Sequence, residues 1–371
     1  RSSAPKAVQT RHPLSWKVGR EKSRCVLCVS NAAGGRGVSP GGNPFFVPPT
    51  SKPHASWSWP PTQPPLHPLM AESSIPVDLM NPGQVFACLG LLELADQFLG
   101  GAQGAFDWRS GNDTRFKLSV PQEAKPIESI LDLLTSAEIV EIEPANWPEE
   151  KCSDADSSEV FPSPLHHHKD AEGGYSRTKL PILLKLREQA MHLRMEHWTD
   201  YSSRPDFKLY AGNRSGFTIA RDMIKGKHSK PTKTGAVKLL NPGVSQMRKT
   251  NASRLATAPF DVLVAMAGSF NFDARGAWTP IDEGYSPNKQ GHSLLASPLV
   301  EILAVVSMEN TRPIEIKRGI FRYAAWSDWL SVELARIALQ GRLPCFSMRR
   351  FEFALGYSGK NKIVTFSEEI P

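Results

Sequence analysis

Acidic residues are almost missing from the first 69 positions, and that absence governs how the charge of the chain is read. The formal net charge is +7 over 371 residues. Residues 1–69 carry nine Lys or Arg against one acid, Glu21, so everything from Met70 onward sums to −1. Overall basicity is therefore no guide to the partners of the remainder. The same stretch holds 12 of the 31 prolines, in runs such as SWSWPPTQPPLHP. It lacks the roughly 7–15-residue apolar core of a secretory signal. Its prolines would also break the amphipathic helix of a transit peptide. We expect residues 1–69 to be a disordered leader, translated upstream of a true start at Met70.

Long apolar runs are lacking too. None reaches the ~18 residues of a membrane span, so no membrane partner is expected. Cysteine is sparse, at five residues. Cys25 and Cys28 have zinc-knuckle spacing in RCVLC, but no second Cys or His pair follows at finger distance. Cys88, Cys152 and Cys345 are scattered, a usage that suits a reducing cytoplasm.

The signatures of turnover are absent as well. No GxxxxGK[ST] phosphate loop, Rossmann glycine pattern or GxSxG elbow occurs. HLRMEHW spaces its histidines wrongly for a zinc peptidase, since His192 and His197 would stand about 140° apart on a helix. Three consecutive side chains, His166, His167 and His168, cannot converge on one ion in a regular element, and their loop offers no fixed supporting shell. We therefore expect no catalytic residue, no metal and no cofactor. The alternative is a metal-dependent nuclease built on Asp261, Asp273, Asp282 and Glu283, whose charge Arg275 could simply neutralise.

What is present from Met70 onward is an uneven charge pattern on an α+β chain. Residues 70–174 hold 6 basic and 19 acidic residues, 175–255 hold 17 and 5, and 256–371 hold 12 of each. NPGQVFACLGLLELADQFLG reads as a helix capped by Asn81, with Pro82 at its first position and a stripe of Val85, Leu89, Leu92 and Phe98. GAFDW and TRFKLSV read as a hairpin, IESILDLLTSA as a helix and EIVEIEP as a strand. An acidic insert at 146–176 has no periodicity. FKLY reads as a strand and SGFTIARDMIKG as a helix capped by Ser215. SPLVEILAVVSME, capped by Ser297, and SDWLSVELARIALQG read as helices. GIFRYAAW reads as a strand, and MRRFEFALGY with NKIVTFSE as a hairpin. The expected fold is locally paired antiparallel strands with interspersed helices and no internal repeat.

The basic segment 206–254 is the strongest candidate site. It carries Lys208, Arg214, Arg221, Lys225, Lys227, Lys230, Lys233, Lys238, Arg248, Lys249 and Arg254, opposed only by Asp206 and Asp222. Flexible cations beside the helix N-terminus at Ser215–Phe217 suit phosphate backbones. Tyr210 and Phe217 could stack on bases. From residue 225 onward the segment reads as turn-rich, without a stable period. A solvated face paired with the chain's own acids would account for the same charges.

Three ordered phrases then acquire meaning together: IPVDLMNPGQVFACLGLLELAD, HWTDYSSRPDFKLYAGNRSGFTIARDM and FDARGAWTPIDEGYSPNKQGHSLLASPLVEILA. They resemble a family encoded in type I-U (now often I-G) CRISPR operons, a mid-sized Cascade subunit grouped with large-subunit-like proteins. The resemblance runs from about Met70 to about residue 367. It implies a non-catalytic part of an RNA-guided antiviral complex, beside a backbone subunit, a guide-processing subunit and a helicase–nuclease. Partners would be those subunits and guide RNA or target DNA. FDARGAWTPIDEGYSPNKQG then reads as a docking loop, with Trp278 and Tyr285 as anchors and Arg275, Asn288 and Lys289 as polar tips. A loop tied to the core by an Arg275–Asp282 pair, and a purely structural subunit, are the competing readings.

Overall fold

Two helices, each opened by a proline behind a polar residue, form the centre of the molecule. The computed structural model describes residues 70–111, 113–121, 125–144, 158–161, 180–186, 192–199, 207–210, 214–266, 268–277, 294–358 and 361–371. They fall in one unit spanning Pro64–Pro371. The leader and most of the acidic insert, including His166–His168, lie outside the described residues.

The chain enters through β1 (Ala71–Pro76) and α1 (Pro82–Leu99), followed by the hairpin β2 (Gln103–Asp107) and β3 (Arg115–Val120). Then come α2 (Pro126–Ser136) and β4 (Glu138–Pro144). Next are β5 (Ser158–Phe161), β6 (Ile182–Lys185), β7 (His192–Met195) and α3 (Gly216–Lys225). A short hairpin, β8 (Lys227–His228) and β9 (Leu239–Asn241), leads to α4 (Val244–Thr250), α5 (Ala252–Thr257) and β10 (Val264–Ala265). The last part runs β11 (Leu295–Ala296), α6 (Pro298–Met308), β12 (Ile314–Lys317) and β13 (Ile320–Trp326). It ends with β14 (Leu330–Ser331), α7 (Val332–Leu339), β15 (Met348–Ser358), β16 (Asn361–Val364) and β17 (Glu368–Ile370).

This is an α+β fold, with antiparallel pairing throughout except for β4 beside β5. The sheets run β1-β3-β2-β14, β5-β4-β6-β7 and β12-β13-β15-β16, with β17 also on β15. An order of strand, helix, hairpin, helix, strand occurs twice, at 71–144 and again at 295–358 with β14 inserted. The first copy orders its strands β1-β3-β2, as a split βαβ unit does. The element order repeats although the residues do not.

The central helices α1 and α6 pack on each other, and the sequence shows how closely. A Cβ on Gly90 would collide with the carbonyl oxygen of Leu303 and stand 2.8 Å from its carbonyl carbon. α6 is buried along its whole length, and α1 from Pro82 to Ala95. The expected stripe on α1 is thus a core helix buried on every side. Its one buried acid, Glu93, is matched by the guanidinium of Arg336 and by Asn310 Nδ2 at 3.0 Å.

Local readings gave way where tertiary pairing offered more. Among the described residues Phe207–Tyr210 forms no strand, and Leu209 O accepts a backbone bond from Lys362 N. The helix expected from Ser327 begins only at Val332, because Leu330 and Ser331 pair with Gly104 and Gln103 of β2.

Candidate nucleic-acid interface

The basic segment separates into a foot turned inward and a hairpin turned outward. At the foot, Lys225 Nζ donates to the Thr135 carbonyl at 2.7 Å, at the end of α2. Arg248 reaches Asp132 at 2.9 Å and Glu128 at 3.6 Å on the same helix. Arg214 and Arg221 both pair with Asp222. Lys208 donates to the Tyr210 carbonyl and lies 4.2 Å from the Tyr210 ring centre. These five cations each have a partner within the chain, unlike the ones that follow.

Two expectations are corrected here. Tyr210 is 4% exposed, wedged edge-on against Trp198 and Phe270, so its ring cannot meet a base without leaving the core. The N-terminus of α3 is not an open anion site either. Ser215 Oγ accepts the Thr218 N–H, and Gly216 lies so near Trp198 that a Cβ would be 2.8 Å from the indole. Phe217 is half-buried under the Arg221 guanidinium.

The outward part is a different environment. Residues 223–260 contain no Asp or Glu, and residues 230–240 are all exposed. Their fold comes from short polar side chains and one glycine. Thr232 O accepts the Gly235 N–H at 2.8 Å, and Gly235 has φ 78°, which a β-carbon would oppose. Thr232 Oγ1 accepts the Ala236 N–H, and Ser229 Oγ accepts the Lys238 N–H at 2.9 Å. At the base, Gln246 bonds both the Lys225 carbonyl and the Gly243 N–H, and Asn241 Nδ2 donates to the Ala265 carbonyl. These bonds fix the backbone on which Lys230, Lys233 and Lys238 stand.

Lys230, Lys233 and Lys238 stand on this hairpin, with the half-exposed Lys227 at its base. Lys249 and Arg254 are exposed on α4 and α5, two helices missed by the reading of 225–254 as turns. Among the described residues none of these six is paired with a carboxylate. Val237 (52% exposed), Leu239 and Leu240 share the hairpin, and charge reasoning gave no reason to notice them.

The candidate docking loop is an anchor over the part described, residues 268–277. Asp273 is buried and accepts bonds from Asn81 Nδ2, from Ser297 N, and from the backbone N, Nε and Nη2 of Arg275. It therefore joins the N-terminal ends of α1 and α6. Asn81, expected to cap its own helix, instead donates to Asp273 and accepts the Ala274 N–H. Arg275 is no exposed tip: its partner is Asp273 at 2.8 Å, with Asp261 at 4.0 Å. Trp278, Tyr285, Asn288 and Lys289, with Asp282 and Glu283, lie outside the described residues.

Behind Asp273, Glu301 Oε1 accepts the Phe272 and Asp273 N–H groups, while its buried Oε2 has no hydrogen-bond partner among the described residues. Burial, with repulsion from Asp273 added, pushes its pKa from 4.5 up to about 7. A carboxyl whose folded value is raised stabilises fully below its unfolded value, and that contribution is lost as pH rises through the folded one. Wild-type stability is therefore expected to fall by roughly 3 kcal/mol between about pH 4.5 and 8 from this group alone. Glu301→Gln should remove that slope in urea melts across the range. An unchanged slope would show that Glu301 does not titrate there.

No protein-family model, no curated protein and no solved structure matches the chain. Among the described residues no three His, Cys, Asp or Glu side chains are grouped to hold a metal ion, and no helix is long and apolar enough to cross a membrane.

Proposed function

We propose that the chain is a non-catalytic, cytoplasmic subunit of a type I CRISPR RNA-guided effector complex. In this reading the 227–241 hairpin, flanked by Lys249 and Arg254, holds the phosphate backbone of guide RNA or target DNA. The family reading rests on the three sequence phrases. The contact reading rests on one observation, an exposed and pre-tied hairpin inside a stretch without a single acid. Lysines in this setting bind phosphates as point charges and release counterions, which gives affinity without base preference. In such complexes base pairing supplies the sequence specificity, and a backbone grip is what remains for a protein subunit to add. Neighbouring subunits, and the helicase–nuclease they recruit, would meet its other faces.

The nuclease alternative loses its central acid, because five donors already occupy the carboxylate of Asp273 inside the core. The expected result for a Lys230→Ala, Lys233→Ala, Lys238→Ala variant is weaker binding to RNA and DNA of every sequence by a similar factor. Fluorescence anisotropy with several unrelated oligonucleotides measures it. Because all three positions are exposed, stability should stay within ~0.5 kcal/mol of wild type. Unchanged affinity in a variant that still joins its complex would leave the structural-subunit reading in place.

A further inference from the structure

The outward hairpin is apolar as well as basic, and a grip on phosphates does not use its aliphatic side chains. Val237 is 52% exposed, Leu239 40% and Leu240 49%. Leu295, 48% exposed, adjoins the foot of the hairpin: it pairs with Ala265, whose carbonyl accepts from Asn241 Nδ2. Single exposed aliphatics are ordinary, but four in one neighbourhood mark a contact surface.

The surface is a projection rather than a groove. Residues 230–240 are all exposed, and the bonds at Thr232 and Ser229 close the loop on itself. Leu239 and Leu240 are consecutive in β9, so strand geometry turns them to opposite faces. A protein docked on one face would leave an aliphatic in water on the other. A medium that surrounds the tip covers both.

Charge narrows the choice of medium. Residues 229–241 hold Lys230, Lys233 and Lys238 against no acid, three positive charges in all. Among the described residues none of the three meets a carboxylate. The acids that bound the stretch already face arginines, Asp222 with Arg214 and Arg221, and Asp261 with Arg275 at 4.0 Å. A nucleic-acid strand answers the lysines only, since residues 218–259 contain no Phe, Tyr or Trp to stack on its bases. An anionic lipid surface answers both groups. Aliphatics enter the acyl boundary there, while long lysine stems carry their ammonium groups back to the phosphates.

We propose that the 229–241 hairpin, with Leu295 at its foot, docks on an anionic lipid surface. The contact is peripheral: among the described residues no helix is long and apolar enough to cross a membrane. It goes beyond the CRISPR reading and does not rest on it. Lipid and strand would compete for the same three lysines.

The test is flotation of the full chain with vesicles of equal parts phosphatidylglycerol and phosphatidylcholine, beside vesicles of phosphatidylcholine alone. Wild type should float with the anionic vesicles and far less with the neutral ones. A Val237→Ser, Leu239→Ser, Leu240→Ser variant should bind the anionic vesicles at least about tenfold more weakly, because it loses the aliphatic burial. Its melting temperature and its binding to a single-stranded RNA should match wild type. The lysine-to-alanine triple variant should lose roughly fivefold per lysine on the vesicles. Vesicle binding that the serine variant retains, or no vesicle binding by wild type, would overturn the proposal. Equal loss of vesicle and RNA binding in the serine variant would overturn it too, since the aliphatics would then only shape the hairpin. Self-association of wild type that the serines abolish, without vesicle binding, would give the aliphatics to a second copy instead. Failure of the backbone grip shows separately, as intact vesicle binding by a protein that binds neither RNA nor DNA.

Discussion

Replacing Asp273 by alanine is expected to cost the fold about 3–5 kcal/mol, the usual result of removing one partner from a buried ion pair. The carboxylate holds Arg275, the Asn81 amide and the Ser297 N–H at once, so its loss strands a charge and two donors inside the core. It also frees the N-terminal ends of both central helices. Asp273→Asn should be milder, since one oxygen can still accept from Asn81 while the charge opposite Arg275 is lost. Urea melts followed by tryptophan fluorescence measure both. The same pair of variants separates structure from chemistry. An acid used for metal-dependent cutting would in addition carry Mg²⁺-dependent cleavage that disappears in both variants, whereas a purely structural acid has no cleavage to lose.

Gly90→Ala should be the most damaging glycine-to-alanine change among the described residues, since its methyl would approach another backbone more closely than at any other described glycine. Helix propensity alone gives the opposite sign, a gain of roughly 1 kcal/mol for alanine inside a helix. The new methyl, however, would enter the Leu303 backbone, and a carbonyl in the middle of a buried helix cannot swing aside. Separating α1 from α6 opens the centre of the core, so overpacking should reach or exceed the ~3 kcal/mol upper end for such changes. The packing cost outweighs the propensity gain, and the net loss should be about 2 kcal/mol or more. A thermal melt decides the sign, and a stabilised Gly90→Ala would mean that the two helices do not touch there.

Both cases show what was legible in the residues and what was not. Asn81-Pro82 and Ser297-Pro298 marked the two helix starts correctly, because capping and proline geometry are local. That Asn81 serves Asp273 was not legible, since the partners are 192 positions apart. The repeated element order stayed hidden because α1 and α6 share burial and a proline start but no run of residues. Trp329 looked like part of a helical run until β2 claimed the two residues after it.

The candidate site divides in the same way. Charge counting found Lys230, Lys233 and Lys238 because an acid-free stretch is visible in any composition window. It could not tell them from Lys225 or Arg248, which face α2. Nor could it see that Tyr210, next to the same lysines, faces inward. Direction is set by packing partners far along the chain, and a one-dimensional charge pattern does not contain it.

The most direct test of the backbone-grip reading is the salt dependence of binding. Log affinity for a single-stranded RNA and for a DNA duplex is plotted against log salt for wild type and for the Lys230, Lys233, Lys238 triple alanine variant. Each phosphate contact contributes ~0.7 to the slope for single strands and ~0.9 for duplex. The account predicts a slope flatter by about 2 to 3 in the variant, with the same change for every sequence tried. Equal slopes and equal affinities for wild type and variant would contradict it.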